Sequence, residues 1–446
     1  MGTSVRLQDT ETEGRPSIYL FIFVNPLSGD RKGSDLIHLP IQHFRLRRLP
    51  LVQVEIHNIL DEQDRAAGME RIQLIESMIK GGKVAPLPQE ENTPDLNPQP
   101  GQSPSGGPAV SWRIKPSVRT RQMHVWSAGG DGTVMSVFEL LVEHNVDLDY
   151  VYFSCNQVLG WGRAHGNVLG PRLEHLEELV TERFERADAA RLDVWQVRLT
   201  ADRVHKAGHA NKSQSQLEVK MCNYLSLGVQ GSVGSGFEKH RAGRRIKNIL
   251  VYFIESCKWV FWRHFPDVAK GLHGIEQDGQ TLVSFDKSET DQPVFVGSAI
   301  DMVIQNIPHI WGREVDLWGE AREGLEVVQY RQGPTDPSQW TPQRANDRKL
   351  EVFAIENMKS YLKKLANFRN HVARIGQFSS PFSLVFKKQK KRKNTYIMCD
   401  GEFYVLRGAQ KLEFELYAQI WTLGRNDEEQ QARLTADEEQ APDSSY

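Results

Sequence analysis

Apolar residues run unbroken from Ser17 to Val24 (SIYLFIFV), a stretch rich in aromatic and branched side chains. It predicts a strand buried on both faces, as in a parallel sheet. Asn25-Pro26-Leu27-Ser28-Gly29 follows as a turn. Leu51–Ile56 alternates as a second strand, and Ile72, Ile75 and Ile79 give Asp61–Ile79 helical spacing. Residues 82–118 break the pattern with proline, glycine, serine and asparagine, which predicts a disordered insertion too poor in apolar surface to offset its ordering entropy. The pattern resumes at 124–141, HVWSAGGDGTVMSVFELL, where an apolar strand and an apolar helix flank a glycine-rich turn. Asp149–Ser154 reads as another strand, and Pro171–Phe184 as a helix with Leu173, Leu176 and Leu179 on one side. Alternating strands and helices are the signature of an α/β layer fold.

From about Ala189 strand-like runs dominate. They are Leu192–Leu199, Leu217–Leu227, Thr281–Phe285, Met302–Ile307, Leu325–Tyr330, Leu350–Ile355, Phe382–Phe386, Tyr396–Met398 and Lys411–Ile420. One helical segment, Arg244–Trp262, sits among them. The expected fold class is therefore α/β plus β: a polar N-terminus at 1–16, an α/β domain at 17–185, a mostly antiparallel β-rich domain at 189–424, and a polar, acidic tail at 425–446.

Composition narrows the function classes. A chain of 446 residues with 39% hydrophobic residues is long enough for two or three cores. A formal net charge of −2 gives no electrostatic sign of nucleic acid. The four cysteines, Cys155, Cys222, Cys257 and Cys399, form no CxxC pair, which argues against a cysteine-based zinc module and a disulfide framework and favours a reducing, cytoplasmic setting. The polar N-terminus lacks the apolar core of a signal peptide, and Arg6 stands where myristoylation needs Ser or Thr. The most apolar stretch, Ile249–Trp262, is too short for a span and is interrupted by Glu255 and Lys258, so a soluble chain is expected. The histidines show no HExxH-type metal spacing.

The glycine-rich turn carries the chemistry. Glycines let backbone N–H groups approach an anion closely, and a helix N-terminus adds partial positive charge, so phosphate is the natural guest. Asp131 would then hold Mg²⁺ or take a proton from an attacking hydroxyl. The plainer alternative is a tight turn capped by Asp131. The earlier turn at Asn25–Gly29 ends a strand of the same sheet, so both turns are expected at one crevice. No GxxxxGK[ST] or HRD-type motif is present.

At these motifs the chain resembles the diacylglycerol kinase family, within the wider diacylglycerol/sphingosine lipid kinase superfamily. FVNPLSGDRKG at 23–33 and SAGGDGTV at 127–134 resemble its two nucleotide-side motifs. Leu159-Gly160-Trp161-Gly162 resembles the segment that closes its catalytic domain. CNYLSLGVQGSVGSGFEKHR at 222–241, IQNIPHIWGREVDLWG at 304–319 and CDGE at 399–402 resemble successive stretches of its accessory domain. Six motifs in order, over roughly residues 17–425, make the resemblance specific. It implies a nucleotide-binding domain and a β-rich lipid domain with a cleft between them. It also implies transfer of the ATP γ-phosphoryl group, with Mg²⁺, to the hydroxyl of diacylglycerol, giving phosphatidic acid. On this resemblance Gly129, Gly130, Gly132 and Thr133 cradle phosphate, and Asn25, Ser28 and Gly29 line the nucleotide site. Asp131 acts in catalysis or metal binding, and Glu402 is the general base or metal-linked carboxylate, with Asp400 beside it as a metal ligand. Without the resemblance, Asp-Gly-Glu reads as a hairpin turn.

Two departures stand out. After DYVYFS the family carries a second glycine-rich loop, whereas here Cys155, Asn156 and Gln157 alone separate Ser154 from Val158. Gln230 stands where the family would supply an aspartate. These leave three readings: a missing short coding segment, a catalytically inactive lipid- or nucleotide-binding module, or a divergent enzyme. Among active enzymes, a kinase of sphingoid bases or ceramide is the alternative to a diacylglycerol kinase. Arg244–Phe265 reads first as a helix packed on a sheet and second as an interfacial helix. Lys387–Lys393 (KKQKKRK) reads as a solvated loop or a contact for anionic lipid, consistent with transient peripheral membrane association. Oligomeric state is not legible.

Overall fold

The computed structural model describes residues 15–28, 33–39, 41–86, 121–154, 173–209, 213–240, 245–288, 291–307, 309–310, 313–314, 318, 326–365, 372–388 and 393–425. The chain forms two compact units. The first comprises residues 1–129, 140–190 and 421–446, and the second residues 130–139 and 191–420.

The first unit is α/β. Its strands are β1 (Ile18–Val24), β2 (His43–Arg45), β3 (Val52–Asn58), β4 (Met123–Ala128) and β5 (Val151–Ser154). Its helices are α1 (Ser34–Ile37), α2 (Glu62–Lys80), the C-terminal end of α3 (Asp131–Glu143), and α4 (Leu173–Arg186). β1 lies between β3 and β4, parallel to both, β5 continues the parallel run beyond β4, and β2 closes the other edge antiparallel to β3. Every residue of β1 is buried, which is why its sequence is apolar throughout rather than alternating. Asp61 caps α2 by accepting from the N–H groups of Gln63 and Asp64. The chain remains placed through Pro86, into the stretch that composition assigns to disorder. Val84 is buried there, and the Ala85 and Pro86 carbonyls accept from Gln122 and Ser17. The rest of that stretch lies outside the described residues.

The second unit is sheet-rich. Its strands are β6 (Ala187–Lys206), β7 (Gln214–Met221), β8 (Tyr224–Gly228), β9 (Leu272–Gln277), β10 (Gln280–Ser284), β11 (Val294–Phe295), β12 (Asp301–Gln305), β13 (His309–Ile310), β14 (Arg313–Glu314), β15 (Val328–Gln329), β16 (Lys349–Ile355), β17 (Ala373–Ser379), β18 (Phe382–Phe386), β19 (Asn394–Cys399) and β20 (Glu402–Arg425). Antiparallel pairing runs β17–β16–β12–β8–β19–β20–β18–β9–β10. The core beneath these strands includes Trp195, Leu225, Leu227, Ile304, Phe378 and Phe414. The predicted strand 217–227 is two strands, β7 and β8, broken at Cys222–Asn223. Helices α5 (Val229–His240), α6 (Arg245–Cys257) and α7 (Met358–Leu365) accompany the sheet, and a π-helical turn, Lys258–Arg263, continues α6. No described helix is long and apolar enough to cross a membrane.

One buried histidine makes the first unit sensitive to acid. His124 on β4 is fully buried, with ring centroids 4.9 Å from Tyr152 and 4.8 Å from Phe184. Burial pushes its pKa down to about 3. The unfolded chain takes up a proton near the ordinary histidine value and the folded chain does not, so stability falls as pH drops from about 6.5 towards 3. At pH 5 the loss is about 2 kcal/mol. His124→Phe should show a pH 7-to-5 loss of urea-unfolding free energy smaller than wild type by about this amount; equal losses in both proteins would rule the account out.

Candidate active site

In the first unit, β1 and β4 run parallel with Val24 opposite Ala128, so their turns leave from the same C-terminal sheet edge. Asn25 fixes that edge: its N–H donates to the Ala128 carbonyl at 2.9 Å, and its side-chain oxygen accepts from Leu27 N at 3.0 Å. The Ser28 N–H returns to the Asn25 carbonyl at 3.1 Å. Asn25 and Ser28 are both half-buried, and Gly129, directly after β4, is buried. The structure thus brings Asn25 and Gly129 to one edge. Gly29 lies outside the described residues, as do Leu159–Gly162 and the shortened stretch after Ser154.

The glycine-rich turn continues into the second unit. The Gly130 carbonyl accepts from Thr133 N at 2.9 Å and Val134 N at 3.2 Å, forming the first turn of α3, which opens at Asp131. Thr133 is buried. Gly132 meets Glu402: a Cβ placed on Gly132 would lie 2.6 Å from the Glu402 Oε1 atom, closer than real atoms approach. Glu402 is the first residue of β20, and its Oε2 pairs with Lys206 Nζ at 2.7 Å. Its side chain is 33% exposed, so it keeps access to solvent. Two motifs far apart in sequence therefore meet because one of them carries no side chain.

Asp400 has a different place from the one expected. It and Gly401 form the two-residue connection of the β19–β20 hairpin, with Cys399 opposite Glu402. Both have positive φ, 43° and 79°, as the Asp-Gly pair of a tight hairpin requires. The Asp400 carboxylate is buried and accepts from Cys222 N at 2.6 Å, Asn223 N at 3.0 Å and Tyr224 N at 2.9 Å. It binds the break between β7 and β8. That engagement does not fit the expected role of Asp400 as a Mg²⁺ ligand: its oxygens are directed at three backbone donors.

Gln230 is also structural. On α5 it accepts from the Tyr224 hydroxyl at 2.9 Å and donates to Asp301 at 3.4 Å, while Ser226 donates to the other Asp301 oxygen at 2.6 Å. All four residues are buried. An amide can donate on one side and accept on the other, whereas an aspartate here would set a second carboxylate beside Asp301.

Beside this cluster lies a feature the sequence did not single out, an apolar cavity of about 650 Å³. Tyr224, Val233, Phe265, Tyr361, Met398 and Phe403 contribute to its wall. Gly401 and Phe403, the neighbours of Glu402, both line it. Helix α5 forms one side because glycines let it approach closely: a Cβ on Gly231 would sit 2.5 Å from the β19 backbone, and one on Gly234 would sit inside the Phe403 ring. The spacing of these two glycines was the available signal for α5. Helix α6 contributes Tyr252, Phe253 and Ser256 to the cavity wall. Glu255 is buried against Lys258 and His240, while Leu250, Phe253, Ile254, Phe261 and Trp262 are exposed.

Residues 220–403 match the family model of the diacylglycerol kinase accessory domain. This stretch resembles the accessory domain of the diacylglycerol kinases. Two crystal structures from Bacillus anthracis str. Sterne are similar to it at 12% identity. One, of a protein proposed to be a diacylglycerol kinase, has a TM-score of 0.43 over 94% of this chain and 98% of its own. The other, described as a diacylglycerol kinase, has a TM-score of 0.38 over 92% and 97%. No curated protein matches the chain. The matched residues include Asp400 and Glu402 and take in α5, α6 and most of the cavity wall.

Asp400→Ala leaves three backbone donors without their acceptor, and should lower the urea-unfolding free energy by about 3 kcal/mol or more. A near-neutral effect would remove its structural role.

Proposed function

We propose that this protein is an ATP-dependent lipid kinase that transfers the γ-phosphoryl group to the free hydroxyl of diacylglycerol, giving phosphatidic acid and ADP. The observation that carries the reading is the approach of Glu402 to Gly132, which joins a carboxylate to the glycine-rich helix N-terminus. Phosphates are received by the turn at Gly129–Thr133. Glu402 accepts the proton of the lipid hydroxyl as its oxygen bonds to the γ-phosphorus. The bond to the β–γ bridging oxygen breaks and ADP leaves. Lys206 orients the Glu402 carboxylate. Asp131 serves on the phosphate side, in catalysis or as a ligand of the Mg²⁺ bound with ATP, whereas Asp400 serves the hairpin.

The cavity supports a lipid acceptor. It is apolar, large enough for acyl-chain carbons, and walled by the residues on either side of Glu402. The outward apolar face of α6 and the following turn supports entry from a membrane surface, because an ordinary surface helix buries such residues and exposes its glutamate. The accessory-domain match favours diacylglycerol over a sphingoid base or ceramide.

Radiolabelled phosphate transfer from ATP in mixed micelles, with diacylglycerol, sphingosine and ceramide offered separately, tests the reaction and its acceptor. Asp131→Ala and Glu402→Gln should each lower kcat by about 10²- to 10³-fold. Gly132→Ala should do so too by displacing the mobile end of Glu402, with little loss of stability. No transfer by folded protein that still binds diacylglycerol would instead support a non-catalytic module. Separately, Phe261→Ser with Trp262→Ser should weaken binding to anionic liposomes about tenfold or more; unchanged binding would reject the membrane face.

A further inference from the structure

The first unit holds a cluster that no part of the proposed reaction uses. His43 on β2 stands directly opposite Glu55 on β3 in the antiparallel register. His57 follows Glu55 by two residues, so both side chains project from the same face of the strand. One donor atom from each of the three lies within 4.8 Å of the others. Glu55 and His57 are almost fully buried, and His43 is 57% exposed.

Two of these atoms are buried without a hydrogen-bond partner, His57 Nε2 and Glu55 Oε2. Buried polar atoms are rarely left so, and each calls for a ligand or another explanation. The opposite atoms of both groups are engaged. His57 Nδ1 pairs with Asp64 Oδ1 at 2.9 Å, and Asp64 is itself fixed by the Asn58 N–H at 2.7 Å. That carboxylate holds the imidazole proton on Nδ1 and leaves the buried Nε2 lone pair without a hydrogen-bond partner, the arrangement that supports metal-bound histidines. Arg71 and Gln53 donate to Glu55 Oε1 at 3.2 and 3.4 Å, which leaves Oε2 facing His43 Nδ1 at 3.9 Å. The far side of the His57 ring is closed by Gly68 of α2, where a Cβ would lie 2.9 Å from the ring.

We propose that His43, Glu55 and His57 form a binding site for a divalent transition-metal cation of the zinc type. Two imidazole nitrogens and one carboxylate oxygen are a donor set that zinc takes and magnesium does not favour. The exposed His43 swings in to complete the set, and the solvent side leaves a fourth position for water. The bound ion ties the short edge strand β2 to β3, so its effect is on the stability of this unit. The site is independent of the lipid kinase reading.

The test is a zinc titration of the full chain, stripped with a chelator, against a chromogenic competitor, with a parallel Co²⁺ titration read by visible absorption. One Zn²⁺ should bind tightly and raise the melting temperature, and excess Mg²⁺ should not displace it. His43→Ala, an exposed and structurally mild change, should weaken this binding at least tenfold, and Asp64→Asn should weaken it about 10- to 100-fold. Both variants should keep the wild-type circular dichroism spectrum. Zinc bound equally well by wild type and by folded His43→Ala and Glu55→Gln would overturn the proposal, as would a wild type that binds no zinc.

Discussion

Much of the second unit depends on a single buried carboxylate. Asp400 sits in a hairpin turn and accepts from three consecutive backbone N–H groups at the break between β7 and β8. Those donors would otherwise be buried and unpaired, and a charged acceptor satisfies them at once. The hairpin is thereby joined to a segment far from it in sequence. Three neighbours inherit their positions from that junction: Glu402 at the start of β20, Phe403 in the cavity wall, and Tyr224, whose hydroxyl reaches Gln230.

Glycine does the complementary work of permitting approach. Gly231 and Gly234 bring α5 against β19 and Phe403, and Gly132 admits Glu402. Absent side chains thus shape both the cavity and the carboxylate's placement. The buried cluster of Tyr224, Ser226, Gln230 and Asp301 sets paired polar groups beside the cavity, with Tyr224 and Gln230 in its wall. Gln230, which departs from the family pattern, suits that cluster better than a second acid.

The α/β half was legible because its strands announce burial: β1 is apolar at every position and lies between two parallel neighbours. The turns at Asn25 and Gly129 were legible from glycine and proline chemistry at strand ends. The β-rich half was legible in texture, less so in detail. The run 217–227 hides its break because Asn223 is its one turn-forming residue at that point, with no glycine or proline beside it, and the partner that makes the break tolerable is Asp400, distant in the chain. Helix α5 was missed because glycine and serine dilute its apolar period. In Asp-Gly-Glu the hairpin reading holds: Asp400 and Gly401 build the turn, and Glu402, the proposed general base, emerges from it. The His43, Glu55 and His57 cluster has no linear spacing motif, since strand register, not sequence distance, assembles it.

The meeting of Gly132 with Glu402 has a consequence for biosynthesis. Gly132 is synthesised well before Glu402, so the pair cannot form on a ribosome-bound intermediate that lacks the β19–β20 hairpin. Strand β20 extends the dependence, because Trp421, in the part of β20 that belongs to the first unit, pairs with Tyr152 on β5 of the same unit. Until β20 is made, β5 lacks that strand neighbour, and an open strand edge is a surface on which nascent chains associate wrongly. The order of synthesis thus delays the assembled carboxylate–glycine pair, and the covering of that strand edge, until β20 has been made.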